Sequence, residues 1–256
     1  MIVAFFLSIC YNFFMRKILS KVRKACEEYS LIEENDKVAV GLSGGKDSLI
    51  LLTAMAGLQK FYPKKFELIA ITIDLFDGKS DYNDIKKYCE ELGVELHIIP
   101  SQIYEVVFEV RKESNPCSLC AKMRRGILNQ SAKDLGCTKV ALGHHLDDLI
   151  ETFFLSLIYE GRLSTFAPKT YLSNTDITVI RPMIYLKESE VRSKSKSMPV
   201  FHNNCPANHK TQREFIKDNL ALLNKKIPNS KDLIFKAITS PERYNLYDKS
   251  PKNTKK

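Results

Sequence analysis

Apolar positions along the chain follow two alternating spacings. Short apolar runs occur at Lys37–Leu42, Phe66–Asp74, Val94–Ile99 and Thr138–Gly143. Each is too short for a stable helix, and the second alternates as ELIAITID, so all four are expected to be strands. Between them lie longer segments with helical spacing. Residues 16–30 place Ile18, Leu19, Val22 and Cys26 on one face, and Asp47–Leu58 is apolar all round, as in a buried helix. Asp81–Leu92, Cys117–Leu135 and His145–Tyr159 complete the set, with Gly93, Gly136 and Gly161 placed to end them. A fifth short strand is expected at Ile177–Arg181, and the remainder reads as helical with a polar, lysine-rich end.

Strand and helix in regular alternation predict an α/β fold, with a parallel sheet covered by helices on both faces and a helical C-terminal extension. The boundaries that follow are an N-terminal helical segment over 1–36, a sheet domain over 37–200 with an inserted C-x-x-C helix, a helical extension over 201–241, and a disordered tail over 242–256. Segments 76–84 and 161–176 are expected to be the mobile loops. No internal repeat is visible.

Composition narrows the class. A chain of 256 residues suits one large domain with appendages, and 44% hydrophobic with 27% charged residues is ordinary for a globular protein. The formal net charge of +9 favours an anionic partner, either nucleic acid or a membrane surface. The bland alternative is a chain that simply carries many lysines. Seven scattered cysteines exclude a small disulfide-stapled secreted domain and point to a reducing cytoplasm. The opening run MIVAFFLSICYNFFM is shorter than the ~20 residues a spanning helix needs. It also lacks the positive n-region of a signal peptide. Translation is expected to start at Met15, with a basic amphipathic helix following; the alternative is a short membrane-associating segment, and no membrane partner is expected unless residues 1–14 are genuine.

The first chemical signal is SGGKDS, set between a strand and a helix. Gly44 and Gly45 let the backbone turn sharply and approach a ligand. The first amides of the following helix, the hydroxyls of Ser43 and Ser48, and the charge of Lys46 together make an anion cradle. It is not the G-x-x-x-x-G-K-[ST] loop of kinases and GTPases. The plain alternative is a tight turn with a helix cap. The second signal, LGHHLDDLIET, places His144, His145, Asp147, Asp148 and Glu151 at another helix start on the same sheet edge, where open α/β sheets bind ligands. Asp148 and Glu151 share a helix face. Carboxylates there suit a bridging Mg²⁺; the alternative is capping by Asp147 and Asp148 with solvent-facing histidines.

The third signal is NPCSLCAKMRRG. Cys117 and Cys120 open a helix whose N-terminus favours thiolate. With Cys205 they could hold zinc, for which His202 or His209 could be the fourth ligand, an iron–sulfur cluster or a redox disulfide. Two isolated helix cysteines are the alternative. Cys26, Cys89 and Cys137 read as packing. Lys122, Arg124 and Arg125 follow the C-x-x-C, and Arg suits bidentate contact with phosphate; a solvated face is the alternative. Further basic runs stand at Arg16–Lys24 and Arg192–Lys196.

SGGKDS after a strand is similar to the PP-loop of the ATP pyrophosphatase superfamily. PCSLCAKMRRGIL, ALGHHLDDLIETFF, VIRPM and CPANHKTQR, in that order, closely resemble the TtcA family of tRNA 2-thiocytidine synthetases from about Met15 to about Pro241. The resemblance implies a parallel-sheet PP-loop ATPase over 37–200 and a reaction in which ATP adenylates the C2 oxygen of an anticodon-loop cytidine of tRNA. Sulfur then displaces AMP to give 2-thiocytidine. It implies ATP contacts from Gly41, Ser43, Gly44, Gly45, Lys46, Asp47 and Ser48, with Ile73 and Asp74 beside the adenine. Arg124, Gly143 and His144 would line the nucleotide site, with Asp47, Asp147 and Asp148 at the reacting centre and Asp148 toward Mg²⁺. It also implies a [4Fe–4S] cluster on Cys117, Cys120 and Cys205, sulfur from a cysteine desulfurase, and a homodimer. Chains of this group are longer, and many have a second cysteine near the last motif, where FHNNC has only Cys205. The rival readings are a PP-loop thiolase for another base or a small molecule, a lysidine-synthetase-like enzyme, a regulatory protein that has lost catalysis, and a zinc-stabilised RNA-binding module.

Overall fold

The computed structural model describes residues 2–78, 80–111, 116–195, 198–199 and 212–246. Cys205, His202, His209 and the tail from residue 247 lie outside the described residues. The elements in chain order are α1 (Ile2–Glu28), β1 (Asp36–Gly41), α2 (Lys46–Gln59), β2 (Phe66–Asp74), α3 (Asn83–Leu92) and β3 (Glu95–Pro100). There follow a π-helical turn (Glu105–Val110), α4 (Pro116–Asp134), β4 (Lys139–Ala141), α5 (Leu146–Glu160), β5 (Lys169–Leu172) and β6 (Ile177–Ile180). Last come α6 (Glu188–Ser195), α7 (Gln212–Lys226), α8 (Ser230–Ile238) and a 3₁₀ turn (Pro241–Arg243).

Six strands form one sheet in the order β3-β2-β1-β4-β6-β5. All neighbours are parallel except β5 and β6. The chain runs outward from β1 through β2 to β3 and then returns to the other side of β1. The gap between β1 and β4 is therefore the switch point, where two turns diverge and leave a crevice. Val38, Ala39 and Val40 of β1 and Val140 and Ala141 of β4 are fully buried, as strands covered on both faces must be. Leu49–Leu52 of α2 are likewise buried on every side.

Two features escaped the hydrophobic pattern. β5 lies inside 161–176, expected to be loop, and its register with β6 (Lys169↔Ile180 to Leu172↔Ile177) makes it an antiparallel edge strand. The π-helical turn buries Val107 beneath α4. Elsewhere the stops fall where expected: Gly93 and Gly136 take left-handed conformations, and the next amides bond back to Cys89 O and Ala132 O.

The chain divides into two compact units, one of residues 1–148 and 166–209, the other of 149–165 and 210–256. The first contains the whole sheet. The second contains most of α5, with α7 and α8. In the second unit Arg213 pairs with the buried Glu151 at 3.2 Å, and Phe215 and Leu222 of α7 are exposed. Among the described residues, no helix is long and apolar enough to cross a membrane. Burial pushes the Cys26 thiol up to about 12 and the Cys89 thiol up to about 11, and moves Cys137 the same way, so all three pack as neutral thiols.

A buried ion pair ties the amino ends of β1 and β4. Lys139 Nζ lies 2.6 Å from Asp36 Oδ2, outside hydrogen-bond alignment, while Asp36 also accepts from the Glu33 amide at 2.6 Å and the Thr138 hydroxyl at 2.7 Å. Removing one partner strands a buried charge. Lys139→Ala is expected to cost about 3–5 kcal/mol in urea unfolding; a loss below about 1 kcal/mol would mean that water reaches Asp36 freely.

Candidate active site

The cradle after β1 is closed by its own hydroxyls. The Ser43 amide donates to Ser48 Oγ at 3.2 Å, Ser48 Oγ donates to the Gly45 carbonyl at 2.9 Å, and the Gly45 amide donates to Ser43 Oγ at 3.3 Å. Gly44 makes the turn with φ +77°. No side chain caps α2 at Gly45, and the first amides of a helix carry partial positive charge that suits an anion. Lys46 Nζ lies 2.9 Å from both oxygens of Asp47 and 3.5 Å from Glu188 Oε1, so carboxylates surround the ammonium at this turn.

The turn after β4 comes against this cradle backbone to backbone. A Cβ on Gly143 would sit 3.0 Å from both the carbonyl carbon and oxygen of Asp47 and 3.2 Å from the Ser48 amide nitrogen. Neither partner is a flexible side chain, so a Cβ here would need the loop backbone to give by a few tenths of an ångström.

The two histidines behind Gly143 are not solvent-facing. His145 is buried, and its amide donates to Asp148 Oδ2 at 2.9 Å while the Asp148 amide donates to His145 Nδ1 at 3.3 Å. Nδ1 also lies 3.2 Å from Asp148 Oδ2, and Nε2 lies 3.8 Å from Asp47 Oδ1. The imidazole thus stands between Asp148 and the PP-loop. The buried Asp147 accepts from the Glu188 amide at 2.7 Å and caps α6. Glu151, grouped with Asp148 by spacing, is instead taken by Arg213. His144 packs on Phe166 with ring centres 5.0 Å apart, and the Arg181 guanidinium lies 4.9 Å from the same Phe166 ring. Phe166, Arg181 and Glu188 were not singled out from the sequence. The available signal for Arg181 was position: it follows β6 as Leu42 follows β1, at the ligand-binding edge.

Asp74 ends β2 and is buried. Its carboxylate accepts from the amides of Phe76, at 3.2 Å, and Gly78, and from the Tyr82 hydroxyl at 3.0 Å. Burial alone would raise this carboxyl, but the Gly78 and Phe76 amides and the Tyr82 and Ser80 hydroxyls outweigh it and hold it below its ordinary value. Asp74 therefore shapes the loop beside the strand, and its oxygens are engaged there.

α4 joins the cysteines to this rim. Pro116 starts the helix; Cys117 is exposed and Cys120 is buried in a cluster with Leu75, Ile103 and Val107, against which Ile73 and Phe76 pack. Two turns on, Leu128 Cδ2 lies 2.8 Å from where a Cβ of Gly41 would be. One helix thus touches the loop after β2 at one end and the strand before the PP-loop at the other. Between these contacts the Arg124 Nε is buried with no hydrogen-bond partner among the described residues. Among those residues no group of three His, Cys, Asp or Glu side chains is arranged for a metal ion. Cys117 and Cys120, one turn apart on one face, are a fitting pair of thiolate donors for a group that takes its other ligand from elsewhere.

A family model described as a PP-loop domain matches residues 14–223. The tRNA-cytidine(32) 2-sulfurtransferase of Pseudomonas putida (strain GB-1) is 37% identical over 248 residues, covering 95% of this chain and 90% of that protein. The chain belongs to the PP-loop family of tRNA-cytidine(32) 2-sulfurtransferases. A second member, tRNA-cytidine(32) 2-sulfurtransferase 1 of Francisella tularensis subsp. novicida (strain U112), is 41% identical over 238 residues, covering 91% of this chain and 89% of its own. Among solved structures, the U34-tRNA thiolase NcsA of Methanococcus maripaludis, with its [4Fe–4S] cluster, superposes with a TM-score of 0.71 at 28% identity. That match covers 93% of this chain and 82% of NcsA.

Within this PP-loop architecture two expectations follow. Gly143→Ala forces the PP-loop backbone to move, at about 1–3 kcal/mol of overpacking. Carried in the loop, that is roughly 5- to 150-fold in ATP Kd by calorimetry; unchanged affinity in a folded variant would show that the loop yields freely. For Asp74, the depressed carboxyl stabilises the fold fully above its unfolded value of about 3.9, and less as pH falls toward its folded value. The urea stability of the wild type should therefore exceed that of Asp74→Asn at neutral pH and converge on it below about pH 4; a constant gap would exclude ionisation as the cause.

Proposed function

We propose that this chain is an ATP-dependent tRNA thiolase that converts an anticodon-loop cytidine to 2-thiocytidine in the cytoplasm. The observation that carries the reading is α4, which places a thiol pair and a PP-loop strand on one rigid element at the ligand edge of the sheet. The relatives' names support tRNA as the acceptor, and the excess of positive charge agrees with a polyanionic partner.

In this reading the cradle of Ser43, Gly44, Gly45, Lys46 and Ser48, with Gly41 beneath it, holds the β- and γ-phosphates of ATP. Lys46 leaves Asp47 and Glu188 for them. The cytidine O2 attacks the α-phosphorus, an O–P bond forms, and pyrophosphate leaves into the cradle, whose amides and ammonium take up its growing charge. Arg124 meets the α-phosphate, and Asp148 is the residue that would hold Mg²⁺. Ile73 and the Asp74-braced loop wall the adenine, and Gly143 and His144 the ribose-phosphate side. Hydrosulfide then adds at C2, the C2–O bond breaks, and AMP departs with the original oxygen. When bound, a [4Fe–4S] cluster held by Cys117, Cys120 and Cys205 supplies an iron position open to sulfur. Asp147 braces the α6 start so that Asp148 stays aligned. A cysteine desulfurase is the proposed sulfur source. A homodimer is proposed as well; the exposed Phe215 and Leu222, seven residues apart on one stripe of α7, are its support.

The test is mass spectrometry of tRNA nucleosides from a host unable to make 2-thiocytidine, expressing the wild type or Cys205→Ala. The expected outcome is 2-thiocytidine with the wild type alone. A thiolated uridine in its place would keep the thiolase and replace the base; no thiolated nucleoside from iron-loaded protein would refute the reading.

A further inference from the structure

The end of β6 carries an arginine to which the ATP reading above gives no role. Arg181 follows β6 directly, and its Nη1 is anchored by donation to the Ala167 carbonyl at 2.6 Å and to Thr170 Oγ1 at 3.2 Å. The Phe166 ring supports the guanidinium from one face, and His144 supports that ring in turn. Of the other two nitrogens, Nε is buried and donates to nothing among the described residues, and Nη2 makes no hydrogen bond there and is not buried. Nη2 is therefore the donor that an oxygen of an anion can reach, on a guanidinium already fixed in orientation.

The surroundings add charge of the same sign. Burial and then the nearby Arg125 push the Arg181 guanidinium down to about 10, which leaves it charged at neutral pH. Arg125 donates through Nε to the Ala121 carbonyl, and Arg124 beside it has its own buried, unpartnered Nε. None of the three arginines pairs with a carboxylate among the described residues, in contrast to Lys46, which has two. For the partly buried Arg181 and Arg124, a charge without a counter-ion is costly unless a ligand supplies one, whereas Arg125 is exposed to solvent.

We infer that Arg181, assisted by Arg125, binds a phosphate of the RNA strand at the acceptor nucleotide and so sets that nucleotide's position against ATP. The chemistry is that of any phosphate, and ATP also carries phosphates. β6 stands two strands from β1, about 10 Å at ordinary strand spacing, so this anion is not the pyrophosphate in the cradle, and ATP binding measured beside RNA binding separates the RNA phosphate from the α-phosphate. Arg181 is then a positioning residue on the acceptor side, and Phe166 is the spacer that keeps it level with His144. The inference rests on tRNA being the substrate.

The experiment is titration of the full-length protein with an unmodified tRNA transcript by fluorescence anisotropy at several salt concentrations, with ATP binding measured in parallel by calorimetry. Arg181→Gln is expected to raise the RNA Kd roughly tenfold. It should also flatten the slope of log K against log salt by about 0.7–0.9, one phosphate contact, and leave ATP affinity unchanged. Arg181→Lys should keep the slope but not the full affinity, because it retains charge and loses the fixed guanidinium. Arg125→Gln, at an exposed helix position, provides a folded variant even if Arg181→Gln unfolds; its slope should also fall. Weakened ATP binding with an intact RNA slope would give the anion to the nucleotide and overturn the inference. Slopes and affinities unchanged in both variants would reduce these arginines to packing. A wild type without salt-dependent tRNA binding would refute the substrate reading itself.

Discussion

The approach of Gly143 to the backbone of Asp47 governs the site. A parallel sheet ends its strands on one side, and the register Val40↔Ala141 brings the ends of β1 and β4 level. Two turns about a hundred residues apart in sequence then meet with no side chain between them. That contact puts the anion cradle and the carboxylate-bearing start of α5 on one rim, and it lets His145 stand between Asp47 and Asp148. A methyl group at Gly143 would press on the Asp47 carbonyl and the Ser48 amide.

α4 extends that rim toward the cysteines. Its N-terminal turn is packed by Cys120 into the cluster around Leu75, and its middle is packed by Leu128 against β1. Both contacts are apolar, and together they tie the cysteine turn and the strand before the PP-loop to one helix. Charge is distributed unevenly around this frame. Lys46 is compensated by Asp47 and Glu188, while Arg124, Arg125 and Arg181 are not compensated by described residues. Anionic ligands must compete with carboxylates in the cradle and meet no such competitor at the β6 edge.

Much of this was legible in the residues. Short apolar strands alternating with helices specified a parallel sheet, because a strand buried on both faces must be apolar throughout. Gly44 and Gly45 specified a sharp turn, and the C-x-x-C spacing specified one helix face, because both follow from local backbone geometry. What local pattern could not supply was partnership across the sheet. Asp148 and Glu151 share a helix face, yet one is drawn to His145 and the other to Arg213. Asp74 is expected beside the adenine, but its place in the strand does not announce that its oxygens brace the loop through Phe76, Gly78 and Tyr82. β5 is too polar and short to declare itself, since an edge strand is held by the hydrogen bonds of β6 rather than by burial. Arg181 looked like part of a strand end until Phe166 and His144 were placed around it. The sequence by itself determined the elements, the turn chemistry and the family, which depend on neighbours along the chain. Only the tertiary structure decided which charges are paired and which stand open, because that depends on neighbours in space.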